Sequence, residues 1–212
     1  MDIPNYDSGE KSDNGFKQLY KYMPKNTFRM LIAGNSGSGK TNLLSHILQS
    51  PLIYYDQIHL YAKNLDQDKY ISLIDKMNGI SEHVGYPVLI ASNDEIIPVN
   101  QLDNDMQRVV IFDDYVCEKV QKPLIDYFIQ GRHKNCSVIY LTQSFYGCPK
   151  AIRLNCSHFC LYDFPSSRER NLISQELGID KSKYIRATNE QCSFCYVDKP
   201  MKTVKRNFYG NI

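Results

Sequence analysis

"FRMLIAGNSGSGKTNLLSHILQ", residues 28–49, decides how the whole chain is read. Its opening, Phe28 to Gly34, is apolar but for Arg29, as expected of a strand covered on both faces. Its close, residues 40–49, sets Leu43, Leu44, Ile47 and Leu48 along one helical face. Between them "GNSGSGKT" fits G-x-x-x-x-G-K-[ST] in full, from Gly34 to Thr41. The glycines let the backbone wrap closely, so that successive N–H groups turn inward on an anion. The helix starting near Lys40 adds the positive end of its dipole. A lysine here reaches the β- and γ-phosphates of a nucleotide, and the following hydroxyl is a Mg²⁺ ligand. The expected phosphate-binding residues are Gly34, Asn35, Ser36, Gly37, Ser38, Gly39, Lys40, Thr41 and Asn42, with ATP and Mg²⁺ as cofactors.

Outward from this stretch, short β-branched runs alternate with helical periods, which predicts a mostly parallel sheet with crossover helices. Strands are expected at 28–34, 57–62, 87–92, 108–114, 137–143 and 158–163, with a last one at 192–198. Helices are expected at 40–49, 66–77, 118–132 and 166–177. The last has Ser166 as N-cap, Glu169 three residues on and Gly178 as its stop. The reading is one doubly wound α/β domain over 27–198, with a flexible N-terminal segment (1–26) and a basic C-terminal tail (199–212).

Composition agrees. Hydrophobic residues at 42% and charged residues at 23% suit a globular domain. No apolar run approaches the roughly 20 residues that cross a bilayer, and the polar N-terminus reads as neither signal nor transit peptide. Seven irregularly spaced cysteines suggest reduced thiols in an intracellular compartment. Cys192 with Cys195, and Cys156 with Cys160 around His158, are the only hint of zinc, and no second knuckle of standard spacing accompanies them. Charge is uneven: 13 Lys+Arg against 6 Asp+Glu after residue 130, and 12 against 17 before it. That bias suits either a polyanion partner or a solvated basic face.

"RVVIFDDY" carries four apolar residues into Asp113 and Asp114. Carboxylates at the C-terminal end of a strand lie where open α/β sheets bind ligands. Asp113 is expected to hold Mg²⁺, and Asp114 to polarise the water that attacks the γ-phosphate. An acidic doublet of this kind is the mark of the additional-strand (ASCE) P-loop NTPases, in which an extra strand lies between the phosphate-loop and Walker B strands and ends in a polar sensor. "VIYLTQ" follows the acidic strand after one helix, so Gln143 is expected to face the γ-phosphate, its alternative being a hydrogen-bonded turn residue.

In this order, "GNSGSGKTN", "VVIFDDY" and "GRHKNCSVIYLTQSFYGCPKAIRLNCSHFCLY" resemble the viral genome-packaging ATPases. These form the poxvirus-type branch of the FtsK/HerA superfamily, found also in large DNA viruses, virophages and Maverick/Polinton elements. The resemblance covers roughly residues 28–165. It implies an oligomeric ring, a pentamer or hexamer, that pulls double-stranded DNA into a capsid by ATP hydrolysis. It further implies a capsid or portal-like vertex partner, and a place at the intracellular assembly site or on the virion. By position Lys40 and Thr41 become the Walker A pair, Asp113 and Asp114 the Walker B pair, and Gln143 the sensor. The wider superfamily more often has Glu where Asp114 stands, one methylene longer.

In such a ring Arg132 is either a finger for a neighbour's ATP or a cap on the preceding helix, with Arg153 as the rival finger. "SSRER" (166–170) and "KTVKR" (202–206) are candidate DNA phosphate contacts or plain surface. The competing functions are another nucleic-acid-dependent ATPase of helicase or partition type, a small-molecule kinase, and a module that holds ATP without turning it over.

Overall fold

The computed structural model describes residues 27–49, 53–93, 95–115, 121–210 and 212. Among these residues eight strands form one sheet: β1 (Arg29–Ala33), β2 (Gln57–Ala62), β3 (Leu89–Ser92), β4 (Arg108–Asp113), β5 (Cys136–Thr142), β6 (His158–Leu161), β7 (Cys195–Asp198) and β8 (Thr203–Arg206). Their spatial order is β3-β2-β4-β5-β1-β6-β7-β8. The first six run parallel, and β7 and β8 close the edge antiparallel. β5 therefore lies between β1 and β4, the strand insertion expected of the ASCE class.

Among the described residues the α-helices are α1 (Lys40–Gln49), α2 (Asp68–Val84), α3 (Gln121–Gln130), α4 (Lys150–Asn155), α5 (Ser167–Leu177) and α6 (Lys181–Ala187). The pleat sends alternate residues to opposite faces. Met30, Ile32, Ile58, Leu60, Val109, Ile111, Ile139 and Leu141 meet α1 and α2 on one side. Leu31, Ala33, Tyr61, Val110, Phe112, Val138 and Tyr140 meet α3 to α6 on the other. Burial on both faces explains why these strands read as continuous apolar runs. Each fully buried aliphatic side chain on α1, such as Leu44 or Ile47, contributes about 1.5–3 kcal/mol.

Several expectations shift in detail. α2 runs through Asn78–Gly79 to Val84, beyond the expected stop at 77, because Ile80 packs on the core and the true C-cap is Gly85 at φ 82°. α3 is described from Gln121, so residues 118–120 of the expected helix lie outside the described residues, as does the segment 1–26. α3 gives way to a tight turn of 3-10 helix at Gly131–Lys134. Residues 203–206, expected within a basic tail, form β8 by pairing with β7. α4 and α6 were not expected. α6 starts on Asp180, whose carboxylate accepts from the N–H groups of Ser182 and Lys183. The Ser166 cap accepts from Glu169 N, and Gly178 ends α5 at φ 65°, as expected.

Candidate active site

The sheet register brings the site together. Ala33 lies level with Thr142 on one side and Leu161 on the other. At the C-terminal edge Gly34 N donates to Thr142 O, and Tyr162 N donates to Ala33 O. Asp113 is level with Leu141, and Asp114 N donates to Leu141 O at 3.0 Å. The phosphate loop, both aspartates and Gln143 thus converge from strands that are neighbours in space and far apart in sequence.

The loop leaves β1 with Gly34 N donating to Thr142 O at 3.2 Å. A Cβ on Gly34 would lie 2.6 Å from Tyr162 Cβ and 2.8 Å from Ser38 Oγ, so this position requires glycine. Gly37 and Gly39 take left-handed φ of 76° and 103°, and between them Ser38 N donates to Asn35 O at 3.2 Å, closing a tight turn. The Ser38 hydroxyl is buried with no hydrogen-bond partner among the described residues. Lys40 Nζ donates to Gly34 O at 2.6 Å and Asn35 O at 2.9 Å, leaving one of its three N–H bonds for a ligand. Burial lowers its pKa, and the carboxylates of Asp113 and Asp114 work in the opposite direction.

Asp113 ends β4 half-buried, and burial raises its pKa. The hydrogen bond from Tyr70 and the charge of Lys40 oppose that shift, while Asp114 adds to it. Asp114 takes a left-handed φ of 49°, a conformation that aspartate tolerates better than most residues. Gln143 Nε2 donates to Asp114 Oδ2 at 2.9 Å. Thr142 Oγ1 fixes the exit of β5 by donating to Ser144 O at 3.0 Å and accepting from Ser144 N at 3.3 Å. The glycine cradle, an unpartnered hydroxyl, a lysine and two carboxylates fit a nucleotide triphosphate tail with its divalent cation. Thr41 and Asp113 carry side-chain oxygens of the kind that would hold such a cation.

The two arginines part company. Arg153 is 8% exposed. Its Nε bonds Glu176 Oε1 at 2.9 Å and its Nη1 bonds Cys148 O at 2.5 Å. Its guanidinium also lies 5.3 Å from the Phe145 ring and 5.0 Å from the Tyr146 ring. These contacts tie the segment after β5 to α5 and hold the guanidinium within the fold. Arg132 is exposed, and among the described residues its guanidinium bonds only His133 Nε2, at 3.3 Å.

Two of the expected DNA-contacting arginines are also engaged within the fold. Arg170 Nη1 bonds Phe164 O at 2.7 Å and Asp163 Oδ1 at 3.2 Å. Arg206 bonds Glu190 Oε1 at 2.5 Å and Asn189 Oδ1 at 2.9 Å. Arg168 and Lys202 are exposed. Cys156 and Cys160 are fully buried, which pushes both thiols up, and among the described residues no group of three His, Cys, Asp or Glu is arranged to hold a metal ion.

Sequence reasoning missed two residues of the site. Tyr162 is the wall behind Gly34, and Tyr70 of α2 donates to Asp113 Oδ2. At 70, 73 and 77 the buried residues of α2 keep helical spacing, so from pattern alone Tyr70 reads as ordinary core. The triad-like set Ser157, His158 and Asp198 lies at the opposite end of the sheet. There Ser157 Oγ accepts from Arg29 N and donates to Arg29 O, both at 3.1 Å, a structural role.

Known proteins share sequence and fold with this chain. DNA packaging protein OPG160 of Variola virus is 31% identical over 163 residues, 73% of this chain and 60% of that protein. Its counterpart from Vaccinia virus (strain Copenhagen) is 31% identical over 157 residues, 70% of this chain and 58% of that protein. The chain therefore spans about 60% of the length of the relatives it matches. The genome packaging NTPase B204 from Sulfolobus turreted icosahedral virus 2, in complex with AMP, superposes with a TM-score of 0.61 at 15% identity. That match covers 88% of this chain and 98% of B204, and it establishes the shared fold. Among the described residues no helix is long and apolar enough to cross a membrane. The model of the Poxvirus A32 protein family matches residues 16–196, and the chain belongs to that family.

Proposed function

We propose that this chain is an ATP-hydrolysing motor that moves double-stranded DNA into a viral capsid. One observation carries the reading: Gln143 Nε2 lies 2.9 Å from Asp114 Oδ2, immediately beside a complete phosphate loop. Membership of a family whose relatives are DNA packaging proteins supports DNA as the cargo.

Lys40 and the loop N–H groups bind the phosphates and stabilise the charge that develops on the γ-phosphate. Thr41 and Asp113 would hold Mg²⁺, which would supply charge neutralisation at the phosphates. Asp114 polarises the attacking water and takes its proton. The Gln143 amide holds that carboxylate in place and reports whether a γ-phosphate is present. Arg132 is the finger offered to a neighbour's nucleotide in a ring of five or six subunits. In its support, Arg29 Nη1 already bonds Phe128 O at 3.2 Å near the C-terminus of α3, and Arg132 bonds no carbonyl there among the described residues. A capsid or portal-like vertex protein is the docking partner, at the intracellular assembly site or on the virion.

The test is ATP turnover with and without linear double-stranded DNA, with assembly size followed by light scattering. DNA-stimulated turnover by an oligomer is expected. Turnover unaffected by DNA in a chain that stays monomeric would refute the motor. Stimulation by single strands or RNA alone would favour a helicase-type ATPase.

A further inference from the structure

Tyr70 brings a hydroxyl to a point in the core where packing does not need one. It lies on the buried face of α2 with Leu73 and Met77, and is 1% exposed. Its hydroxyl donates to Asp113 Oδ2, an oxygen of a side chain assigned to Mg²⁺. The bond joins α2 to the end of β4. Phenylalanine would fill the same volume without a buried polar atom, whose desolvation has to be offset by hydrogen bonds. The bond to Asp113 is therefore its function.

We propose that Tyr70 is a positioning residue for the metal site, an inference that rests on the Mg·ATP reading above. By donating to Asp113 Oδ2 it fixes the orientation of the carboxylate that would hold the cation. Partners of this kind, bonded to metal ligands and not to the metal, typically account for 10–100-fold in metal affinity.

The experiment uses Tyr70→Phe in the full chain. Binding of a fluorescent ATP analogue is titrated with Mg²⁺ at fixed nucleotide and repeated in EDTA, beside thermal unfolding without nucleotide. The half-saturating Mg²⁺ concentration should rise about 10-fold or more. Affinity in EDTA and the unfolding midpoint should change little. In an Asp113→Asn background, Tyr70→Phe should add no further loss. An unchanged or lower half-saturating Mg²⁺ overturns the proposal, the lower value showing that the hydroxyl competes with the cation. An equal loss in EDTA also overturns it, because Tyr70 would then shape the pocket as a whole. A wild-type chain whose nucleotide binding ignores Mg²⁺ overturns the Mg·ATP reading and this role together. Wild-type dependence that Tyr70→Phe leaves intact overturns only the role of Tyr70.

Discussion

Replacing Gly34 with alanine would place a methyl carbon 2.6 Å from Tyr162 Cβ and 3.0 Å from its Cδ2. Unbonded carbons rest at about 3.5–4.0 Å, so about 1 Å of separation has to be found. Ser38 Oγ, at 2.8 Å, can rotate away, but Tyr162 cannot. It is 4% exposed, its ring lies 5.6 Å from that of Phe194, and its N–H donates to Ala33 O at 2.9 Å. Relief must come from moving the start of the phosphate loop away from β6. Overpacking of this kind costs about 1–3 kcal/mol. In a chain of this length that lowers the unfolding midpoint by about 2–12 °C. Gly34 O also accepts from Lys40 Nζ, so the shift reaches the lysine, and nucleotide affinity should fall with stability. Scanning calorimetry and nucleotide titration measure the two. Gly79→Ala is the internal control: nothing lies within 4 Å, the residue is mid-helix, and a gain of about 0.5–1 kcal/mol is expected. If Gly34→Ala matches wild type in both midpoint and affinity, Tyr162 is not a rigid wall and the steric reasoning fails.

Lys40→Ala should abolish ATP turnover and weaken nucleotide binding in calorimetric titration, since only backbone donors remain on the phosphates; near-normal turnover would refute the assignment. Asp114→Asn should still bind Mg·ATP while hydrolysing it on the order of 10²-fold more slowly, as for loss of a general base; loss of Mg²⁺-dependent binding instead would mean the two aspartates exchange roles. Arg132→Ala subunits mixed with Lys40→Ala subunits should recover part of the lost turnover, because each Lys40→Ala subunit still offers its arginine to an intact neighbouring site. Absence of recovery would refute a finger at 132. Stability should fall as pH drops from about 6.5 to about 4. His59 is held down to about 4 by burial and then by Arg108, so the unfolded chain takes up its proton before the folded one does. The ring faces Gln57 Oε1 at 2.9 Å and the Tyr61 hydroxyl at 3.4 Å, neither of which offers it a negative charge. His59→Gln should make the slope shallower in pH-dependent urea unfolding without abolishing it, because His158 is also lowered to about 4. An unchanged slope would show that His59 does not titrate late.

Local chemistry determined much of this protein from the sequence alone. The phosphate loop is legible because its glycines, lysine and threonine are contiguous and each residue type has its own physical reason. The central strands are legible because burial on two faces leaves unbroken apolar runs. Polar residues at the end of the strand after the acidic one pointed to Gln143, and the structure puts its amide 2.9 Å from Asp114 Oδ2. Other features were decided by partners distant in the chain. β8 looked like a basic tail because a four-residue edge strand with partly exposed residues carries little pattern, and its order comes from pairing with β7. Arg153 could be read as a free cation until Glu176, Cys148 O and two aromatic rings were seen to enclose it. Tyr70 has core spacing, and only the packing of α2 against the sheet carries its hydroxyl to Asp113. A side chain's type and helical face follow from local sequence, but the group its polar atom meets depends on which elements the sheet order makes neighbours.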